Sequence, residues 1–187
     1  MMISKTKIIL YAIFNLPGIF VHELSHKLFC DISGVKVLRV CYFRFKNPPG
    51  YVEHIQPRSF FQMFFISVGP LIMGSLISFL LFVSVVFACR GAINRAPTIG
   101  MFITGLLPLW FAVSIAISCF PSQTDAKVLL SETNRHLFKR FNPLAIIGYP
   151  FVLVIKISNY LKRFYFNWVY AIFLLAIAIY VILFWIK

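Results

Sequence analysis

The stretch Ile8–Phe29 reads IILYAIFNLPGIFVHELSHKLF. It is apolar as far as Val21 and then carries His22, Glu23, His26 and Lys27. A bilayer core about 30 Å thick needs about 20 apolar residues of helix, so this stretch is long enough to span. Ionisable residues inside a membrane helix are costly, and they usually mark a functional site. The stretch therefore predicts a membrane helix with a functional site near its end.

The composition of the whole chain also indicates a membrane protein. Of 187 residues, 60% are hydrophobic and 12% are charged, whereas about a quarter of the residues of a soluble domain are charged. The formal net charge is +13. Nucleic-acid binding needs a basic solvated domain, and no segment is long and polar enough to form one. We therefore assign the positive charge to contacts with anionic lipids of the bilayer, and we expect no nucleic-acid partner.

Further apolar runs predict the other membrane spans. Phe60–Cys89 and Pro97–Phe120 contain no charged residue, and Trp168–Ile186 is equally apolar before Lys187. The run 144–161 is apolar at first, but basic residues lie at its far end, namely Lys156, Lys162 and Arg163. This run therefore either spans the membrane or lies in the membrane interface. The expected fold is an all-α membrane protein, a polytopic bundle of 4–5 transmembrane helices, with four spans favoured over five.

A small membrane-associated β-hairpin is expected between the first two spans. Residues 35–46 are rich in β-branched and aromatic side chains, and residues 51–55 resume that pattern. Asn47-Pro48-Pro49-Gly50 has turn chemistry. No linker is long enough to separate domains. Residues 1–187 are thus interpreted as one domain, with a three-helix core over about 8–127 and a C-terminal helical extension over 143–187.

Basic loop residues predict the orientation, because cytoplasmic loops collect Lys and Arg. The segments after the first and third spans are the more basic, with Lys27, Lys36, Arg39, Arg44, Lys46 and Arg58 in one and Lys127, Arg135, Lys139 and Arg140 in the other. The segment after the second span has only Arg90 and Arg95. The first and third spans should therefore run in the same direction and finish at the cytoplasmic face of the cell membrane.

His22-Glu23-Leu24-Ser25-His26 fits His-Glu-x-x-His. In a helix the two histidines lie one turn apart on one face and can share a zinc ion, Zn²⁺, while Glu23 beside them can take a proton from zinc-bound water. Ser25 lacks the base and orienting carboxylate of a catalytic triad, so a serine nucleophile is rejected. The cysteines Cys30, Cys41, Cys89 and Cys119 have no zinc-ligand spacing.

Catalytic zinc usually takes three protein ligands and a water molecule, so a third ligand is needed. Asp125 is the best candidate, because it follows the third span and should return to the depth of the histidines. Pro121 can stop or kink that helix so that Asp125 points inward. An alternative is that Asp125 only caps a helix. Glu132, His136 and His54 are the other candidate ligands.

Together these residues resemble the site-2 protease family of intramembrane zinc metalloproteases. In that family one membrane helix carries His-Glu-x-x-His, a later helix carries a proline-containing motif ending in an aspartate ligand, and a helix between them often holds Gly-Pro, here Gly69-Pro70. The resemblance covers about residues 8–127. It implies cleavage of transmembrane segments of membrane-protein substrates, with Glu23 catalytic and His22, His26 and Asp125 as metal ligands.

The chain departs from the family pattern at two places. Thr124 and Ala126 flank the aspartate where the family usually has Leu and Gly, and Met73 stands near the position of an asparagine that usually follows Gly-Pro. Other functions would also account for part of this pattern. A non-catalytic zinc-binding membrane scaffold, a metal transporter or an inactive protease fold would explain the buried ionisable residues, although transporters generally have more spans and often a repeat.

Overall fold

The computed structural model describes residue 10 and residues 12–46, 48–92 and 99–184, except for the side chains of Ala92, Met101, Phe102 and Arg163. The described chain is mostly helical and includes one two-stranded sheet. Some features considered above lie outside these residues: the start of the first predicted span, Asn47 in the turn, Arg95, Pro97 and the chain end from residue 185.

Six α-helices and two strands have their bounds within the described residues. The α-helices are α1 (Leu16–Ile32), α2 (Phe60–Ala92), α3 (Ile99–Ser118), α4 (Gln123–Asn134), α5 (Gly148–Leu161) and α6 (Phe166–Phe184). The strands are β1 (Val37–Cys41) and β2 (Tyr51–His54). A π-helical turn at Arg135–Lys139 follows α4, and short 3-10 helices at Pro143–Ile147 and Lys162–Phe164 flank α5.

Three described helical segments are long and apolar enough to cross a membrane: Phe60–Gly91, Pro143–Leu161 and Phe166–Phe184. The first and last agree with predicted spans, and the middle one shows that the ambiguous run 144–161 has the length and composition of a span. A fourth crossing is possible if Ile103–Ser118 and Gln123–Lys139, bent by 44°, form one broken span. Helix α1, which covers most of the first predicted span, has 17 residues. A membrane protein is thus supported, and the count of four to five spans stays a prediction.

The ends of α1 are set by local sequence. Pro17 occupies the first turn, where its missing N–H is not needed. At the other end Gly34 has φ +68°, its N–H donates to the Asp31 carbonyl (3.1 Å), and the N–H of Val35 donates to the Cys30 carbonyl (2.8 Å). This is a Schellman cap, which turns the chain sharply into β1.

The hairpin predicted from residues 35–55 is confirmed, with shorter strands. β1 and β2 pair antiparallel, with Val40 opposite Val52 and Cys41 opposite Tyr51. An irregularity in the register lies between Val37 and Arg39.

Helices α1 and α3 run side by side in the same direction, as the loop charges predicted. Three hydrogen bonds join residues 96 positions apart: Trp110 Nε1 to the Phe14 carbonyl, the Gly18 N–H to Ser114 Oγ, and His22 Nδ1 to the Ser118 carbonyl. A Cβ on Gly18 would lie 2.1 Å from the Ser114 carbonyl oxygen, so glycine permits this close approach. His22 of α1 therefore lies level with the end of α3 at Ser118, and α1 continues beyond it to Ile32.

The helical structure is interrupted between α3 and α4, at residues 119–122; this interruption is called the break below. The last carbonyls of a helix have no partner within it, and here side chains from three other helices supply donors. His22 of α1 binds the Ser118 carbonyl, Asn167 of α6 donates to the Ile117 carbonyl, and Asn159 of α5 donates to that of Pro121 (3.1 Å). The break that precedes Asp125 is thus held from three sides.

Candidate metal centre

The two histidines of α1 face each other with their Nε2 atoms 3.3 Å apart. Nδ1 of His22 lies 2.8 Å from the Ser118 carbonyl oxygen, and Nδ1 of His26 lies 2.8 Å from that of Ile66. Because a carbonyl oxygen only accepts, these contacts assign the proton of each ring to Nδ1. Both Nε2 atoms then present lone pairs to the same point, an arrangement that a cation between them would stabilise. Fixing Nδ1 on a backbone carbonyl is also how proteins orient metal-binding histidines.

The Ile66 carbonyl is available to His26 because of Pro70. In a helix the carbonyl of residue 66 would accept from the N–H of residue 70, but proline has none. Pro70 lies inside α2, and the freed carbonyl receives His26 instead. The neighbouring Gly69 lets the Phe29 ring approach, since a Cβ there would lie 2.3 Å from it. Gly69-Pro70 therefore positions α1 and its histidine against α2.

Replacing Pro70 with alanine should weaken zinc binding. The new N–H competes with His26 for the Ile66 carbonyl, and losing such an orienting partner typically costs about 10- to 100-fold in metal affinity. Helix stability should stay the same or rise, since proline disfavours a helix interior. Competition with a chromophoric zinc chelator measures the affinity.

Pro108→Ala is the matched control, because Pro108 also lies inside a long apolar helix, α3, and does not line the cavity around the histidines. It should leave zinc affinity unchanged. Equal affinities in Pro70→Ala and the unaltered protein would show that the freed carbonyl does not orient His26.

Asp125 joins the histidines from the start of α4. Its Oδ1 lies 3.7 Å from His26 Nε2, and its Oδ2 lies 4.0 Å from His22 Nε2. Ser122 and Asp125 also form a capping box: the Ser122 N–H donates to Asp125 Oδ2 (2.6 Å) and the Asp125 N–H donates to Ser122 Oγ (3.2 Å). Asp125 therefore both caps α4 and faces the two histidines. The cap fixes the carboxylate where the histidines can share a ligand with it.

The spacing of the three side chains fits a metal ion. Their candidate ligand atoms all lie within 4.8 Å of one another. Zinc bonds to nitrogen and oxygen are about 2.0–2.2 Å long, so two ligands of a tetrahedral site lie about 3.3–3.5 Å apart. The two Nε2 atoms already have this separation, whereas the Asp125 oxygens lie farther away, each closest to a different histidine. A small rotation of one carboxylate would complete three ligands.

A cavity of about 400 Å³ lies beside the cluster and leaves space for a fourth ligand. Glu23 lines it together with His22, His26 and Asp125. The turn of the hairpin covers Glu23, because a Cβ on Gly50 would lie 2.6 Å from the Glu23 Cγ. Structural zinc sites are closed and catalytic ones keep an open position. The cavity here leaves one side of the cluster open, next to a largely buried carboxylate.

Lys162 also lines this cavity, and sequence reasoning had placed it only at the basic end of a helix. It belongs to the 3-10 helix between α5 and α6. Burial lowers the pKa of the Lys162 ammonium, while Cys119 and Asp125 oppose that shift. Among the described residues that line the cavity, Lys162 is the one lysine or arginine. The sequence carried no signal for this position, since it depends on how α5 ends.

The other candidate ligands, His54, Glu132 and His136, do not belong to the described cluster of His22, His26 and Asp125. His54 lines the cavity, but its Nδ1 contacts the adjacent Ile55 carbonyl, and it is not part of the described three-residue cluster. Glu132 and His136 are buried elsewhere: Gln56 donates to Glu132 (3.0 Å), which also pairs with Arg135. This second cluster ties the segment after β2 to α4. The geometry thus favours Asp125 over all three.

Comparisons of this chain with models of protein families, with curated proteins and with solved structures find no match.

Proposed function

We propose that this chain is a zinc-dependent intramembrane endopeptidase that cleaves transmembrane segments of membrane-protein substrates. The observation that carries the proposal is the cluster of His22, His26 and Asp125 with Glu23 on the wall of the same cavity. Two imidazoles and one carboxylate are a common ligand set of catalytic zinc, and Glu23 follows the first histidine as a general base does in His-Glu-x-x-His metalloproteases.

Each side chain has a distinct task in this proposal. His22, His26 and Asp125 hold the ion, which when bound supplies Lewis-acid chemistry by acidifying water and polarising a carbonyl. Glu23 accepts a proton from the attacking water and passes it to the nitrogen of the leaving amine. Its cover by the hairpin turn limits the number of water molecules around it, which strengthens electrostatic interactions in the cavity.

The hairpin offers a way to hold the substrate. A transmembrane helix must become extended before its backbone can be cut, and an extended segment can add to an unpaired strand edge. β2 contributes Tyr51, Val52 and His54 to the cavity wall, and in the described chain it pairs only with β1. We place the extended substrate along the free edge of β2.

The proposed location is the cell membrane, with several spans and the active site near the cytoplasmic side. The three apolar helices support a membrane protein, and the basic segments after the first and third predicted spans support the orientation. The partners are then the lipid bilayer and a transmembrane protein substrate.

Reconstituted protein tests the proposal. Liposomes containing the chain and single-span candidate substrates should yield a cut inside the span, which stops after zinc is chelated and resumes after zinc is restored. The same vesicles, loaded with a zinc-sensitive dye, report transport. Zinc uptake without cleavage would identify a carrier, and bound zinc with neither activity would identify a scaffold or an inactive protease fold.

A further inference from the structure

Ser67 lies on the wall of the cavity. It follows Ile66, whose carbonyl holds His26, in the sequence of α2. Met63, Ile66 and Ser67 all line the cavity, and their spacing of three and four places them on one face of α2. The side chain of Ser67 is almost fully buried, with 1% of the residue exposed. It is thus a buried hydroxyl in the wall of the cavity.

This hydroxyl has no hydrogen-bond partner among the residues that the structure describes. Serine and threonine in a helix ordinarily donate to the carbonyl four residues earlier. Ser25, Ser75 and Thr133 do so here, at 2.5 to 2.7 Å. Leaving a buried hydroxyl unpaired is unfavourable, so Ser67 is a donor whose acceptor is expected to arrive from the cavity.

The chemistry of peptide cleavage supplies such an acceptor. When water attacks the carbonyl carbon, a carbon–oxygen bond forms and the electron pair of the C=O bond moves onto the carbonyl oxygen. Glu23 takes the proton of the water. The pair then returns as the carbon–nitrogen bond breaks, and the proton goes to the amine, so water and a peptide bond become an acid and an amine. The oxygen that is transiently negative requires a fixed donor.

We propose that the Ser67 hydroxyl donates a hydrogen bond to the carbonyl oxygen of the peptide bond that is cut. This inference rests on the proposed endopeptidase function. Lys162, the cation on the same cavity, favours the accumulation of negative charge there.

Ser67→Ala tests the role. Removing one donor of this kind typically lowers kcat about 10²- to 10³-fold, and we expect KM and zinc content to stay unchanged. The thermal midpoint of the metal-free variant should be equal or higher, because alanine removes an unpaired buried hydroxyl. Ser75→Ala is the control: Ser75 lies on the same helix, bonds to Leu71 and Tyr170, and does not line the cavity. It should keep the cleavage rate.

A binding measurement separates this inference from the proposed function. A peptide hydroxamate presents a charged oxygen to the site, and its affinity for zinc-loaded Ser67→Ala should fall about 10- to 100-fold, as for loss of a hydrogen bond to a charged group. If the unaltered protein does not cleave but the hydroxamate still binds more weakly to the variant, the donor role stands and the endopeptidase proposal fails. Unchanged hydroxamate affinity, or a variant that loses stability and zinc together, overturns the donor role.

Discussion

Replacing Glu23 with glutamine is expected to abolish cleavage while zinc stays bound and the protein stays folded. Glutamine keeps the shape of a side chain that is only 9% exposed and packed beneath Gly50. It cannot accept a proton, and general-base catalysis is typically worth about 10² to 10⁴ in rate. The measurement is the initial rate of substrate cleavage in liposomes, alongside zinc per molecule by elemental analysis and the thermal midpoint.

The control for this substitution is Asp31→Asn, which also removes one carboxylate but from an exposed position near the end of α1 that does not line the cavity. Its rate should match that of the unaltered protein. If the chain is a zinc carrier or a scaffold, a different pattern is expected: Glu23→Gln would weaken zinc binding modestly and leave transport or scaffolding unaffected. Cleavage by Glu23→Gln at the full rate would rule out the base even if zinc is present.

Replacing Asp125 with alanine is expected to remove zinc. Three ligands become two, and the loss should exceed the factor of about 10 to 100 that removal of an orienting partner costs. Alanine also removes half of the capping box, so a fall in affinity alone does not separate ligation from folding. Zinc affinity must therefore be compared with helix content and thermal stability.

Two further variants separate the effects. Asp125→Asn can still accept from the Ser122 N–H but loses the negative charge, whereas Ser122→Ala loses the other half of the cap and keeps the carboxylate. A ligand role predicts strong zinc loss in Asp125→Asn and little in Ser122→Ala, where a lost cap costs about 0.5–2 kcal/mol of stability. The reverse order would leave Asp125 with the capping role alone. Full zinc binding in Asp125→Ala would bring His54 back as the third ligand.

The parts of the fold that were predictable have local causes. The apolar runs, the hairpin and the helical spacing of His22 and His26 each follow from residues close in sequence. The position of Asp125 near the histidines could be predicted for another reason. The basic loop residues indicated that two distant predicted spans run in the same direction, and the contacts of α1 with α3 agree. The number of membrane spans is still a prediction.

Other features could not be predicted because they depend on which distant groups meet. A proline in a helix reveals that one carbonyl is free, but not that His26 will occupy it. Pro48-Pro49-Gly50 indicates a turn without indicating that Glu23 lies beneath it. Lys162 and Ser67 reach the cavity through the packing of α5 and α2, and no periodicity in their neighbourhood distinguishes them from other membrane-helix residues.

The three-sided support of the break after α3 has a consequence for biosynthesis. A ribosome makes residues 22 and 125 well before residues 159 and 167, whose amides donate to the carbonyls around Asp125. A nascent chain therefore has all three proposed zinc ligands before the segment that aims one of them is secured. The proposed centre reaches its final geometry only once α5 and α6 have packed, so the order of synthesis itself would delay the proposed activity until α6 has been made.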